Sequence, residues 1–345
     1  MTSTSIDSTG RIQGFSSVGG VVGHIESTGL VTFTNVFFSG RVNVPYSNSE
    51  GTGGIIGTIN NSASKVKFEN VRADGTIYGF FNVGGLVGRS DGVIDIANSS
   101  FTGTLYARGT DANGGAGGLI GKASDNVTLF QSYSSATIEG VNNLGGLIGA
   151  LQPSGANLNR YAPVADISVS YSEGSITGGG NNAGGLIGTN SFNATISNCY
   201  STCSVDSDSY VGGLIGSVDE GLKFRDNVYN GGTDGTVGHT VETKLKNCYT
   251  SGEFINARIS HAGGLVGIIR DGGDLFVTDC YSMPHSITGG SHLGSVIGEA
   301  LPNYVNSKSG SLDVTTKVYV YAPLRSVFNP TCTTLLITDK LVTQD

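Results

Sequence analysis

The side chains best suited to catalysis or to metal binding are few and widely spaced in this sequence of 345 residues. The five histidines are His24, His239, His261, His285 and His292. They stand singly, without an H-E-x-x-H spacing, and no serine lies in a G-x-S-x-G elbow with partner residues. Acidic residues recur at no fixed position, whereas a glycosidase needs two carboxylates about 5–9 Å apart. We therefore expect a protein that is not an enzyme and that holds no cofactor and no metal.

The cysteines also lack the spacing of a metal or redox site. There are five of them, Cys199, Cys203, Cys248, Cys280 and Cys332, with no C-x-x-C pair. Cys199, Cys248 and Cys280 each follow an Asn or Asp directly, at a position that earlier repeats fill with Val or Ser. A disulfide between stacked repeats is conceivable at a Cα separation of about 5 Å. The odd count and the shared position favour reduced, buried thiols.

A glycine-rich pentapeptide, G-G-[LVI]-[IV]-G, sets the spacing of the whole chain; we call it the glycine core. Eight copies begin at Gly19, Gly53, Gly84, Gly117, Gly145, Gly184, Gly212 and Gly263, and a degenerate ninth copy begins at Gly294. A period of about 30 residues that tolerates insertions is typical of a solenoid, in which each repeat packs only against its neighbours. We therefore expect residues 1–300 to form one repeat domain.

Between consecutive glycine cores lie two further patterns typical of short strands. The first has an Asn or a related residue preceded, two positions earlier, by an apolar residue: Phe33, Phe68, Ile96, Leu129, Ile167, Ile196, Leu245 and Val277. The second, of the form G-x-[IVL], has its apolar residue at Val42, Ile77, Leu105, Ile138, Ile176, Val205, Phe254 and Ile287. Three short strands per repeat predict an all-β fold, a right-handed parallel β-helix (β-solenoid) of about nine coils.

The Asn positions themselves predict bends rather than ligands. An asparagine there bonds backbone groups and stacks into a ladder, whether it points inward or lies at a corner. An aromatic position follows two residues later, at Phe37, Tyr133, Tyr171, Tyr200, Tyr249 and Tyr281. We expect these rings to pack in the core or against a neighbouring rod, and the open alternative is an outward ladder that stacks on sugar rings. Tyr171, Tyr200, Tyr249 and Tyr281 are therefore candidate interface residues.

The two central residues of each glycine core raise a question about its faces. Both are apolar in all nine copies, as in Leu86-Val87, Leu147-Ile148 and Leu186-Ile187. A regular strand would point one of them outward, and a strand that is apolar on both faces is normally buried on both. Either the glycines bend the chain so that both side chains turn inward, or another chain covers an outer stripe. The second alternative makes these six residues candidates for an interface.

Departures from the repeat mark the remaining candidate contact regions. Insertions occupy residues 151–164 and 219–243, and insertions in solenoids often form the binding face. At the N-terminus the pattern around Ile12 matches the second type of strand with no strand of the first type before it. The C-terminal segment, residues 301–345, holds a β-rich run with Val318 and Val320. We expect this segment either to cap its own solenoid or to pair with the incomplete N-terminal coil of another subunit.

Composition excludes several partners. The net charge is −8 and no basic block occurs, so a nucleic-acid partner is not expected. No run approaches about 18 consecutive apolar residues, so no transmembrane segment is predicted. The N-terminus shows neither a basic nor an apolar segment of the kind found in a secretory signal.

The combination N-C-Y-[ST]-x-G followed by [VA]-G-G-L-[IV]-G resembles the GLUG-motif repeats of large bacterial and protist surface proteins. Residues 247–252 and 262–267 match closely, and the resemblance covers roughly residues 9–300. It implies a stalk or adhesive segment at the cell surface or outside the cell, with a glycan or cell-surface ligand as a candidate partner. Together with the incomplete terminal coils, it predicts a structural β-solenoid that acts as an adhesive rod or as a self-associating filament subunit. The alternative is a carbohydrate-binding or carbohydrate-active β-helix with its site on the inserted loops.

Overall fold

The computed structural model describes residues 2–3, 6–45, 50–60, 62–110, 112–153, 163–219, 223–225, 236–238, 241–270, 273–301 and 312–320. Every regular element in these ranges is a β-strand, so the all-β expectation is confirmed. Within the same ranges, no helix has the length and apolar character that crossing a membrane requires.

The strands are short and closely spaced along the chain. In chain order they are β1 (Thr2–Ser3), β2 (Ile6–Gln13), β3 (Val18–Gly19), β4 (Val22–Ile25), β5 (Leu30–Asn43), β6 (Thr52–Gly53), β7 (Ile56–Ile59), β8 (Lys65–Gly79), β9 (Asn82–Gly84), β10 (Val87–Ser90), β11 (Val93–Ala97), β12 (Ser100–Ala107), β13 (Gly115–Gly117), β14 (Ile120–Ala123), β15 (Val127–Phe130), β16 (Tyr133–Gly140), β17 (Leu144–Gly145), β18 (Ile148–Leu151) and β19 (Val164–Ser168). They continue with β20 (Tyr171–Gly178), β21 (Asn181–Gly184), β22 (Ile187–Asn190), β23 (Asn193–Ser197), β24 (Tyr200–Ser201), β25 (Ser204–Gly212), β26 (Ile215–Val218), β27 (Lys223–Arg225), β28 (Thr236–Gly238), β29 (Val241–Lys246), β30 (Tyr249–Thr250), β31 (Phe254–Gly263), β32 (Val266–Ile269), β33 (Gly273–Ser282), β34 (Ser286–Gly289), β35 (Leu293–Gly294), β36 (Ile297–Ala300) and β37 (Leu312–Val320).

Two long parallel sheets account for almost all of these strands. The smaller, sheet B, has nine strands in the order β4, β7, β10, β14, β18, β22, β26, β32 and β36, so each repeat pairs with the one before it and the one after it. Sheet A collects 26 strands by the same rule. The antiparallel pair β27–β28 stands apart from both. This stacking of repeat on repeat is the arrangement of a β-helix.

The glycine core crosses from sheet A to sheet B instead of forming one strand. In the third copy, β9 ends at Gly84 and β10 begins at Val87, with a bend at Gly85 and Leu86. A Cβ atom on Gly85 would lie 2.0 Å from the carbonyl oxygen of Gly118 and 2.3 Å from the ring of Phe101, so no other residue fits. The bend turns both following side chains inward, and it gives each repeat more strands than the three expected.

The same backbone contact explains why the ninth copy has Ser295 where the other copies have their second glycine. In the eighth copy, a Cβ on Gly264 would meet the carbonyl oxygen of Ser295, which belongs to the ninth. Ser295 itself lies beside β36, the last strand of sheet B. In the described part of the chain no further repeat presses a carbonyl against it, so a side chain is tolerated there.

The apolar positions predicted before each Asn form one buried column. The sheet register aligns Phe33, Phe68, Ile96, Leu129, Ile167, Ile196, Leu245 and Val277, and all eight are buried. The second predicted column is correct except for Phe254, because Ile255 pairs with Val205 and with Ile287. Phe254 is instead 37% exposed, since one extra residue precedes this strand.

The Asn positions are corners with left-handed backbone, and we call this set the asparagine corner. The φ angles are 55° at Asn35, 56° at Asn70, 50° at Asn98 and 54° at Asn198. Asparagine tolerates this region better than most residues because its short side chain bonds locally. The side chains are exposed and form part of a ladder, for example from the Nδ2 atom of Asn70 to the Oδ1 atom of Asn35 at 3.3 Å. The expectation of bend asparagines is confirmed.

The residue after each corner supplies a hydrogen bond to the neighbouring repeat. The Oγ atom of Ser132 accepts the backbone N–H of Ser99 at 3.1 Å and donates to the carbonyl of Phe130 at 2.9 Å. The Oγ atom of Ser99 accepts the N–H of Val71 in the same way, at 3.0 Å. In the later repeats cysteine takes this place, and the Sγ atom of Cys280 accepts the N–H of Cys248 at 3.4 Å.

Replacing Val169 by asparagine should stabilise the protein by about 1 kcal/mol, because the φ of 51° at this residue is unfavourable for a β-branched side chain. Denaturant unfolding of Val169→Asn measures the gain. Val164→Asn is the control, because Val164 is 49% exposed but lies in the extended strand β19. An equal effect of both substitutions would show that polarity, and not backbone conformation, is responsible.

Replacing Ser132 by alanine should destabilise the protein by about 1–3 kcal/mol, because it leaves the buried N–H of Ser99 without its partner. Ser132→Cys should cost less, since a sulfur atom serves at this position in later repeats. Chemical unfolding of both variants tests the difference. Equal losses for alanine and cysteine would contradict the role given to this hydrogen bond.

Candidate functional site

The interface candidates of the glycine core lie in the interior of the chain itself. Leu86, Val87, Leu147, Ile148, Leu186 and Ile187 are all 0% exposed. The first of the two alternatives is therefore the correct one: the bend at the glycines turns both side chains into the core. The proposal that these six residues form an outer stripe is wrong.

The tyrosine column forms a stacked ladder on the outside of sheet A. The ring centroids are 4.9 Å apart from Tyr133 to Tyr171, 4.7 Å from Tyr171 to Tyr200 and 4.9 Å from Tyr200 to Tyr249, and the rings are parallel within 5°. Tyr281 follows Tyr249 in the register. The rings are half-buried and alternate with buried Ser or Thr, so they point outward rather than into the core. The interior rings cover each other's faces and leave none free to stack on a sugar.

This ladder changes the acidity of its phenols. Burial, followed by the neighbouring Tyr171 and Tyr249, raises the pKa of Tyr200 to about 12. Burial also raises the pKa of Tyr171 and of Tyr249. The hydroxyl groups therefore remain protonated at neutral pH, and the column presents hydrogen-bond donors and acceptors without charge.

The terminal candidates belong to the first and last strands of sheet A. Ile12 lies in β2, pairs with Val42 and is partly buried against the core. Thr2 and Ser3 pair with Thr32 and Phe33, so the first repeat does contain a short first strand, contrary to expectation. The backbone of β37, with Val318 and Val320, continues sheet A by pairing with β33.

The inserted loops lie largely outside the described residues. Within the insertion at residues 151–164, the structure does not describe residues 154–162. Within the insertion at residues 219–243, it describes only residues 219, 223–225, 236–238 and 241–243. Their predicted role as a contact surface remains a prediction. His239 and Cys332 also lie outside the described residues.

The four described cysteines, Cys199, Cys203, Cys248 and Cys280, are buried free thiols, as expected. Burial raises the pKa of Cys203, and a hydrogen bond with Cys248, together with burial, raises that of Cys280. The hydrogen bond with Cys248 lowers the pKa of Cys199. Cys199, Cys248 and Cys280 are at most 1% exposed, and each Sγ donates to the backbone carbonyl two residues earlier, so this column is a structural part of the core.

A second corner with left-handed backbone precedes the glycine cores, at the residue two positions before the first glycine; we call it the glycine-side corner. Asn143 and Asn182 occupy it with φ of 52° and 65°. In the three later repeats it holds Tyr210, His261 and His292, with φ of 60°, 65° and 53°. The corner thus changes from amide side chains to rings that can bond a ligand.

The rings at this corner lie directly above one another. The imidazoles of His261 and His292 are 4.5 Å apart and parallel within 4°. The ring of Tyr210 lies 5.0 Å from that of His261. The guanidinium of Arg270 lies over the Tyr210 ring, 4.7 Å from its centroid, in a cation–π contact. Arg270 also pairs with Asp219 at 3.2 Å.

Glu299, from the outer face of β36, completes this group. Its Oε2 atom lies 2.5 Å from Nε2 of His261, and its Oε1 atom lies 3.7 Å from Nε2 of His292. Ligand atoms of the three residues all lie within 4.8 Å of one another, so the group has the composition and spacing of a metal site. Burial is the largest influence on His261 and lowers its pKa, against the opposing effect of Glu299.

The expectation that the histidines stand singly is therefore wrong for His261 and His292. Aligning the repeats could have predicted this pair, because both residues occur two positions before the first glycine of a glycine core. Register places such equivalent residues one rung apart, and Ala262 indeed pairs with Leu293. His24 and His285 belong to no such group among the described residues.

Comparison with known proteins agrees with the class that this fold defines, a protein built of stacked β-repeats. The family model described as the GLUG motif matches residues 81–106, the segment that runs from the third glycine core to β12. The resemblance to GLUG-motif repeat proteins is thus confirmed. No curated protein and no solved structure matches the chain.

Raising the pH should reveal the tyrosine ladder. The folded pKa of Tyr200, about 12, lies above the unfolded value of 10.0. The resulting stabilisation is complete below pH 10 and is lost as the pH rises towards 12. Ultraviolet titration should show an ionisation step near pH 12. This step should be absent in Tyr200→Phe and present in Tyr106→Phe. Ionisation of every tyrosine at the unfolded value would contradict the ladder.

Proposed function

We propose that the chain is a non-enzymatic structural element, a right-handed β-solenoid of about nine coils that acts as a rod. The observation that carries this proposal is the continuous parallel pairing of sheet B, in which all nine strands follow one another in chain order. On the strand spacing of about 4.8 Å, such a stack is about 40 Å long. The right-handed form is preferred because crossovers between parallel strands almost always have that hand.

The distribution of polar chemistry supports a structural role. Most side chains with reactive potential are used inside the fold: the cysteines are buried and bond backbone groups, and serine hydroxyls satisfy N–H groups of the next repeat. Several of the described carboxylates form ion pairs with nearby basic residues, as in Arg89–Asp91 at 2.6 Å and Arg258–Asp208 at 2.9 Å. This pattern serves stability rather than substrate turnover.

We further propose that the rod associates end to end with a second copy, as an extracellular or cell-surface filament or adhesive segment. Sheet B ends at β4 on one side and at β36 on the other, and neither outer edge is paired within the described residues. Exposed apolar side chains accompany both ends, with Phe15 and Leu30 near β4 and Leu301 after β36. An unpaired parallel edge is a template for another chain, and contacts between unlike ends generate open filaments.

Burial distinguishes the part of this end that such an association would use. Ser295 and Ile297 are 3% and 7% exposed, so the glycine core of the ninth repeat is covered within the chain. Ala300, the last residue of β36, is exposed. A lysine there would place a charge at the edge that a second copy approaches, whereas serine would leave the edge uncharged.

Electron microscopy and sedimentation of the purified chain test the proposal. We expect rods joined end to end, which Ala300→Lys shortens and Ala300→Ser leaves unchanged. Circular dichroism verifies that each variant remains folded. Strictly monomeric particles at high protein concentration would refute end-to-end association, and a spectrum without β-structure would refute the solenoid.

A further inference from the structure

We propose that His261, His292 and Glu299 form a binding site for one divalent transition-metal ion, of which Zn²⁺ is the best match. Two imidazole nitrogens and one carboxylate are a ligand set that Zn²⁺ accepts, with a water molecule in the fourth position. The three residues come from the last two repeats that contribute to sheet B. His261 lies in β31, His292 directly precedes β35, and Glu299 lies in β36.

Each imidazole is held by a serine hydroxyl at Nδ1 and lies near Glu299 at Nε2. Nδ1 of His261 lies 2.6 Å from Oγ of Ser260, and Nδ1 of His292 lies 3.0 Å from Oγ of Ser291. The Oγ atom of Ser260 in turn donates to Oγ of Ser209 at 3.3 Å, which leaves it able to accept an Nδ1–H. This is the outer-shell arrangement that fixes a histidine with its Nε2 lone pair towards a metal.

A metal ion would suit the space between the rings and the carboxylate. Nε2 of His261 lies 2.5 Å from an oxygen of Glu299, and in the tautomer whose Nδ1–H is bonded to Ser260 both of these atoms are electron-pair donors. A cation between them bonds both atoms and neutralises the carboxylate.

The ligand atoms lie close enough for one ion once a ring tilts. At Zn–N and Zn–O distances of about 2.0–2.2 Å, tetrahedral ligand atoms lie about 3.3 Å apart. The Nε2 to carboxylate distances of 2.5 and 3.7 Å bracket this value. The two rings are parallel within 4°, and the Nε2 lone pair lies in the ring plane, so the ring of His292 must tilt towards His261 for both lone pairs to reach the ion. His261 is 13% exposed and His292 is 44% exposed, so one ligand is fixed in the wall and the other is accessible to an entering ion.

The position of the site indicates what the metal does. In a stacked-repeat protein each repeat is stabilised by its neighbours, and a repeat at the end of a sheet has a neighbour on one side only. A metal held by His261 on one side and by His292 and Glu299 on the other joins the last two repeats of sheet B. Binding should therefore stabilise this end of the stack specifically.

The experiment uses the full chain with Cys332→Ser, so that this thiol cannot bind the ion, after treatment with a chelator. We expect calorimetry to show one Zn²⁺ per chain, and Co²⁺ in its place to give the visible absorption of a tetrahedral site. His292→Ala and Glu299→Gln should each weaken Zn²⁺ binding by at least about tenfold, whereas His285→Ala, an exposed histidine outside the group, should not.

Two further measurements separate the metal site from a general effect on folding. Zn²⁺ should slow hydrogen exchange of the amides in residues 292–300 and raise the unfolding temperature, and both effects should be absent in Glu299→Gln, which keeps the size of the side chain. Circular dichroism without metal should be the same for all variants. Absence of binding by the parent chain, or binding that Glu299→Gln and His292→Ala leave unchanged, would overturn the proposal and leave a metal-free hydrogen-bonded group.

Discussion

The structure depends on the direct contact of each repeat's backbone with that of the next repeat at the glycine core. A Cβ on Gly54 would lie 2.2 Å from the carbonyl oxygen of Gly85, and one on Gly85 would lie 2.0 Å from that of Gly118. Glycine permits this approach, and the approach allows the ladder hydrogen bonds to continue through the bend, as from the N–H of Leu86 to the carbonyl of Leu119 at 2.9 Å. Because the bend turns two consecutive apolar side chains inward, the same constraint supplies the core.

Stacking in register places equivalent positions of successive repeats in one column, and each column is held together by a different interaction. Apolar positions become a continuous interior, whereas the position after the asparagine corner becomes a chain of Ser or Cys hydrogen bonds to N–H groups that the bend leaves without a ladder partner. Aromatic positions become a ladder of stacked rings in which burial raises the pKa of Tyr171, Tyr200 and Tyr249. One substitution therefore acts on two neighbouring repeats.

The columns also explain where chemistry can arise in a protein with so few reactive residues. A single histidine at the glycine-side corner has no partner from its own repeat, but His261 and His292 occur in successive repeats and come within 4.5 Å of each other. Glu299 reaches them because the sheet B position after the glycine core lies beside the same corner; Ile268 fills that position one repeat earlier. The candidate metal site thus depends on the stacking that also stabilises the rod.

The sequence by itself determined the repeat, the all-β class and the inward column from Phe33 to Val277, because period, glycine spacing and alternation are local properties of the chain. It also indicated bends at the Asn positions, since the residue type that tolerates left-handed backbone is visible in the letters. It did not show that Ile255, and not Phe254, is the buried residue of the second column in this repeat. One extra residue shifts the strand, and only the pairing of Ile255 with Val205 reveals the shift. Tertiary structure alone decided that Leu86 and Val87 both face inward, that the tyrosines face outward, and that two histidines 31 residues apart meet one glutamate. The physical reason is that side-chain direction at a bend and contact across rungs depend on sheet register, and register is a relation between repeats that no single repeat contains.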